Sequence, residues 1–301
     1  MINAATLPGH IVLDHLAWAR HRDRRPGTLA QRRYQVSRLA RWLAAATPPV
    51  GLLGATPEHL RSWQLSLEHL SAQTRATMIG HARAFYRWAS EAELVDHRLL
   101  IHLVAPHVPP KLPRPVGHPD LRRAIEKAPA RVLPWLLLGA FAGLRACEVA
   151  PLHADDLDLV AGTLFVVEGK GGKQRMVTLG PELVALLRPI VPSTGYLFPA
   201  LTSGHQGGEP IPGSHVSPGQ VSRIASRHLL EMGVTPPKFH ALRHRYGSDV
   251  WEATKDLRLL QDLLGHASPA TVAVYTLIAP DRYAAAAAAV SSRLVVTPSI
   301  P

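Results

Sequence analysis

The chain has 301 residues, enough for one large domain or two ordinary ones, and its 47% hydrophobic against 18% charged composition excludes a disordered chain. Lys and Arg total 33 against 22 for Asp and Glu, a formal charge of +11, and a field of that sign favours nucleic acid or another polyanion as partner. The single cysteine, Cys147, excludes an intramolecular disulfide, the N-terminus lacks the basic-then-apolar pattern of a secretion signal, and no apolar run reaches membrane-spanning length, so the expectation is a cytoplasmic protein with no membrane partner.

Residues 1–105 read as a small basic all-helical domain, with 13 arginines, no lysine and 7 acids. In 28–46 the spacing sets Leu29, Tyr34, Val36, Leu39, Trp42 and Leu43 near one helical stripe, with arginines opposite. Thr56 as N-cap, Pro57 at the first helical position and Glu58 in the first turn predict the start of another helix, and Ser71 caps the next. Residues 106–117 form a proline-rich linker, because prolines at 106, 109, 110, 113 and 115 cannot continue a helix and hold the chain extended.

Residues 118–301 read as a mixed domain. "DLRRAIEKA" and "RVLPWLLLGAFAG" are helical, the latter buried. Residues 162–180 carry two β-rich runs about a Gly-rich turn and predict a β-hairpin. "ELVALLRPI" is helical, and 199–219 reads as a mobile loop from its Gly, Pro and Ser content. From Gln220 the helical pattern returns, broken near "GVTPPK", and 279–295 reads as a last helix begun by Pro280 and Asp281.

Four stretches carry chemistry. "AGLRACEV" sets Arg145 at a helix start, with Glu148 three residues on; alone it reads as a surface salt bridge. "VVEGKGGKQRMVTL" presents Lys170 and Lys173 at the hairpin tip. It is not a nucleotide P-loop, since Gln174 follows Lys173 and a strand follows the turn. "FHALRHRYG" gathers His240, Arg243, His244 and Arg245. His240 and His244 have metal-ligand spacing, but Ala241 replaces the glutamate of a metalloprotease and no cysteine or carboxylate cluster stands beside them, so no metal is expected. "LLGHASPATVAVYT" supplies Gly265, His266 and Tyr275; taken singly, these are a cap, a loop residue and a core tyrosine.

Together the four are what a phosphodiester transesterase requires. Breaking DNA without water or metal needs a nucleophile that stays attached, and a tyrosine hydroxyl can serve. Arginines, always charged and forked, stabilise the extra negative charge of the phosphorane. An acid must protonate the departing 5′-oxygen, and another group must help remove the tyrosine proton, whose free pKa is about 10.

Over nearly its whole length, and most of all over 139–180 and 236–276, the chain resembles the tyrosine recombinase (phage integrase) family, especially its compact Xer-type members. "RAFYRWAS" (83–90) is similar to a recurring stretch of that family's core-binding domain. The resemblance implies an all-α core-binding domain followed by a mixed α+β catalytic domain with a small antiparallel sheet, clamped on double-stranded DNA. It implies the catalytic set Arg145, Lys170, His240, Arg243, His266 and Tyr275. Tyr275 would form a 3′-phosphotyrosyl bond, Arg145, Arg243 and His266 would hold the phosphate, Lys170 would protonate the 5′-oxygen, and His240 would assist at the tyrosine. Neither cofactor nor ATP is implied; a homotetramer in the synaptic complex is, with accessory proteins possible and the 279–295 helix packed on a neighbouring protomer. His244 and Arg245 fall on other faces of their helix and read as packing or non-catalytic backbone contacts. The loop 199–219 is longer than expected of Xer-type members, Ala146-Cys147 departs from the first box, and the expectation is a chain without an arm-binding domain, which disfavours an arm-site integrase. The rivals are a type IB topoisomerase-like enzyme and a non-cleaving DNA-binding protein of the same fold.

Overall fold

The computed structural model describes residues 8–22, 26–109, 112–167, 174–202 and 208–265. Lys170, Lys173, His266, Tyr275 and the 279–295 segment therefore lie outside the described residues. Two compact units, Met1–Pro109 and Pro110–Pro301, divide the chain.

The first unit consists of helices α1 (Pro8–His21), α2 (Pro26–Ala44), α3 (Pro57–Ser66) and α4 (Ala72–Glu91), with 3₁₀ turns at Leu52–Gly54 and His97–His102. The Thr56 hydroxyl accepts from the His59 N–H at the start of α3, and Ser71 Oγ accepts from the Thr74 N–H at the start of α4. Each such cap satisfies a donor the helix cannot, worth about 1 kcal/mol. Val36, Leu39 and Leu43 point inward to meet Leu60, Phe85 and Tyr86 in one core. Tyr34, expected on the same stripe, is exposed. It sits two residues before Val36, about 200° round the helix, so the stripe that buries Val36 turns Tyr34 to solvent.

The second unit is built on α6 (Leu133–Phe141), preceded by α5 (His118–Glu126) and followed by the short α7 (Ala146–Val149). Every residue from Pro134 to Ala140 is buried, as the unbroken apolar run predicts. Strands β1 (Leu157–Asp158), β2 (Thr163–Val166) and β3 (Arg175–Thr178) form an antiparallel sheet in that order, with Thr163 opposite Thr178 and Val166 opposite Arg175. Leu164, Val166 and Val177 face the core, while Phe165 and Met176 face out. After α8 (Pro181–Leu187) come β4 (Pro199–Leu201) and β5 (Pro210–His215), which pair antiparallel.

This pair corrects the reading of 199–219 as a loop throughout. The prolines that suppress the strand signal are tolerated because each strand of a two-stranded sheet is an edge, where a missing N–H can face away from the ladder. Helices α9 (Pro218–Glu231), α10 (Phe239–Thr254) and α11 (Leu257–Leu264) complete the unit, and α10 packs along α6. Ser217 and Gln220 cap α9 reciprocally, and Asp256 accepts from the Arg258 and Leu259 N–H groups at the start of α11. Among the described residues no helix is long and apolar enough to cross a membrane.

Candidate active site

Three of the predicted site residues fall within the described chain, and two of them meet. Arg145 is the N-cap of α7, and Glu148 lies one turn on. Glu148 Oε1 accepts from Arg145 Nη1 at 2.7 Å, and Oε2 accepts from the Arg145 backbone N–H at 2.9 Å. This is not the surface salt bridge that the isolated motif suggested: the Glu148 side chain is 0% exposed and that of Arg145 15%. Burial follows because α7 packs against α9.

Arg243 comes from α10 and is 1% exposed. Its Nη1 donates to the Gly143 carbonyl and its Nη2 to the Leu264 carbonyl. Those carbonyls stand two residues before Arg145 and two before His266, so one guanidinium ties the second motif to the first and third. Arg243 Nη1 also lies 3.8 Å from Glu148 Oε2. Gly143 itself admits the Tyr246 ring beside this anchor. Its φ of +65° is left-handed, and a Cβ there would sit 2.4 Å from the Tyr246 ring, so no side chain fits.

A third arginine completes the cluster and was not among the expected residues. Arg175, first in β3, donates from Nη1 to Glu148 Oε1 and from Nη2 to Glu148 Oε2, each at 3.0 Å. A signal for it exists in the strand alternation. Arg175 shares a face with the buried Val177, and a charged residue on a core face requires a buried partner. Burial alone would raise the Glu148 carboxyl, but the hydrogen bonds and charge of Arg175, followed by those of Arg145, hold it at about 2. Three guanidinium groups thus surround one carboxylate, a net positive site suited to an anion.

His240 lies at the start of α10, exposed, with its ring edge-on to that of His244 at 4.7 Å between centroids. Burial and then the Arg243 charge lower the His244 pKa. Arg245 is buried and pairs with Asp249, and its Nη2 is 3.5 Å from Glu252. His244 and Arg245 thus both engage side chains of their own helix. Tyr246, half-buried against Gly143, has its phenol pushed up by burial against the lowering effect of Arg175 and Arg243.

Residues 119–282 match the phage integrase family. The chain is 33% identical over 277 residues to a tyrosine recombinase XerC of Rhodospirillum centenum, covering 86% of this chain and 72% of that one. It is 31% identical over 280 residues to a tyrosine recombinase XerC of Chromobacterium violaceum, covering 88% of each. Among solved structures, a lambda integrase dimer bound to a COC′ core site superposes with a TM-score of 0.68 at 17% identity, covering 88% of this chain and 75% of that one. The Tn1549 transposon integrase in complex with transposon right-end DNA superposes with a TM-score of 0.66 at 14% identity, covering 88% and 94%. At such identities these two structures establish the fold. The chain belongs to the phage integrase family, the tyrosine recombinases. It is a DNA recombinase, and the topoisomerase-like and non-cleaving alternatives are not favoured.

Proposed function

We propose that this recombinase cuts and rejoins double-stranded DNA at specific sites through a covalent link to Tyr275. The Tyr275 oxygen forms a bond to the scissile phosphorus, and the bond from phosphorus to the 5′-oxygen breaks. Lys170 gives its proton to that departing oxygen, and His240 assists removal of the tyrosine proton. Arg145, Arg243 and His266 hold the non-bridging oxygens, where charge builds in the transition state. The phosphotyrosyl bond conserves the energy of the broken one, so rejoining needs neither ATP nor a metal. Residues 1–105 act as the core-binding domain, 106–117 as linker and 118–301 as the catalytic domain. Four protomers assemble in the synaptic complex, in the cytoplasm, with accessory proteins where the site requires them.

The observation that carries this reading is the Arg243 guanidinium bonded to the carbonyls of Gly143 and Leu264 beside the Arg145–Glu148 pair. It draws the first and second motifs together and anchors the turn that leads into the third. A nicked DNA that loses its 5′ fragment after cleavage tests it. Such a substrate is expected to trap an adduct that mass spectrometry maps to Tyr275, and Tyr275→Phe should bind DNA yet trap none. An adduct on Tyr246 or Tyr283 would sink the assignment.

A further inference from the structure

Glu148 is an unusual neighbour for a phosphate-binding arginine, because a buried carboxylate competes for the same guanidinium. An ionised carboxylate offers about four acceptor sites. All four are filled here: Arg145 takes one on each oxygen, through Nη1 and its backbone N–H, and Arg175 takes the other two with its fork. Arg243 stands just outside hydrogen-bond range of the same carboxylate, at 3.8 Å.

Arg175 is itself firmly placed. Its side chain is 10% exposed and both Nη atoms are committed to Glu148. On another side it lies against Gly265, where an added Cβ would come within 3.0 Å of Arg175 Cδ. Gly265 has φ +60° and caps α11 immediately before His266, so a side chain there would strain the turn and crowd the arginine beneath it. Buried and engaged in this way, Arg175 is not an outlying phosphate contact.

We propose that Arg175 is a positioning residue that saturates Glu148 and thereby keeps the Arg145 side chain available for the scissile phosphate. This rests on the active-site reading above. Without Arg175, two acceptor sites of a fully buried carboxylate fall empty, at a cost the pocket cannot sustain. The group in reach is Arg145, already bonded to Glu148 through Nη1. Arg145 needs only to bring a second nitrogen onto Glu148 to make the favoured two-pronged pair. In doing so it turns its fork away from the substrate.

The test compares cleavage of ordinary DNA with cleavage of DNA carrying a neutral methylphosphonate at the scissile position, which places less demand on arginine charge. Arg175→Met is expected to slow ordinary cleavage by about 10–100-fold, the usual size for losing a group that orients a primary ligand. Its defect on methylphosphonate DNA should be at least about tenfold smaller. Arg175→Lys keeps the charge but not the fork, and should show the same selectivity in milder form. A smaller folded fraction lowers both rates alike and cannot imitate that selectivity; if Arg175→Met does not fold, Arg175→Lys carries the comparison. Arg145→Ala is the reference and should also be selectively relieved on the neutral substrate. Selectivity for Arg145→Ala without selectivity for the Arg175 variants would overturn the positioning role alone. Equal slowing of both substrates by Arg145→Ala would overturn the active-site reading and this proposal with it.

Discussion

Glu148 concentrates the residue-scale physics of the site. Its carboxyl is held at about 2 despite complete burial, because two hydrogen-bonded arginines outweigh the desolvation that would raise it. A carboxyl depressed in the folded state stabilises the fold fully above its unfolded pKa, near 4.5, and that contribution is lost as pH falls from there towards 2. The depression corresponds to about 3 kcal/mol. Glu148→Gln is therefore expected to lower the unfolding free energy by about 3 kcal/mol at pH 7, where it leaves buried arginines uncompensated. The gap from the parent protein should narrow as the pH is lowered through that window. Urea titrations at a series of pH values measure it, and a gap that stays constant from pH 7 to pH 3 would contradict this account of Glu148. The residue types here were legible in the sequence: Arg145, Glu148 and Arg243 stand out in their motifs. Their burial was not, since a lone Arg and Glu three residues apart form a surface pair as readily as a buried one.

At the scale of elements, the packing of α1 on α4 turns on a histidine. His15 is fully buried, stacked on Trp18 and packed against Phe85 and Trp88, with both ring nitrogens buried and unsatisfied. Burial, with the charges of Arg32 and His81 behind it, lowers its pKa to about 4. Here the unfolded chain takes up a proton that the folded chain refuses. Stability is complete above about 6.5 and falls by up to about 3 kcal/mol as pH drops towards 4. His15→Phe keeps an aromatic ring in the cluster and removes this titration. The variant should gain stability relative to the parent between pH 7.5 and 4.5, read by thermal or urea unfolding; parallel pH profiles would rule the mechanism out. His81, lowered for the same reasons, contributes with the same sign. The β4–β5 pair makes a complementary point at this scale. Its pairing comes from a partner strand, and local propensity in a stretch with four prolines points the other way.

For the molecule as a whole, charge and division into units govern behaviour. Each unit has its own hydrophobic core, one around Leu39, Leu60 and Phe85 and the other around Trp135, Leu138 and Leu164. Residues 1–109 carry 13 arginines against 7 acids. A fragment ending at Pro109 is expected to fold alone and to bind duplex DNA in a strongly salt-dependent way. If it neutralises about six phosphates, raising salt from about 50 to about 200 mM should weaken binding about 10³-fold. Fluorescence anisotropy across a salt series gives the slope. A folded fragment with no measurable DNA affinity at low salt would show that the positive charge of this unit serves another end.

The amino-acid sequence by itself determined the helical character of the first unit, the pair of strands within 162–180 and the reactive side chains of the four motifs. All of these are local: periodicity, capping residues, turn glycines and reactive side chains at short spacings. Tertiary structure alone decided which charges are buried together. Arg145, Arg175 and Arg243 are up to 98 residues apart, and nothing in the spacing of their motifs sets their distances from Glu148. Their meeting depends on α7 packing on α9, on β3 turning Arg175 inward, and on Gly143 leaving room for Tyr246 beside the Arg243 anchor. A cation enters a protein interior only when a partner waits there, and that partner is supplied by the folded chain.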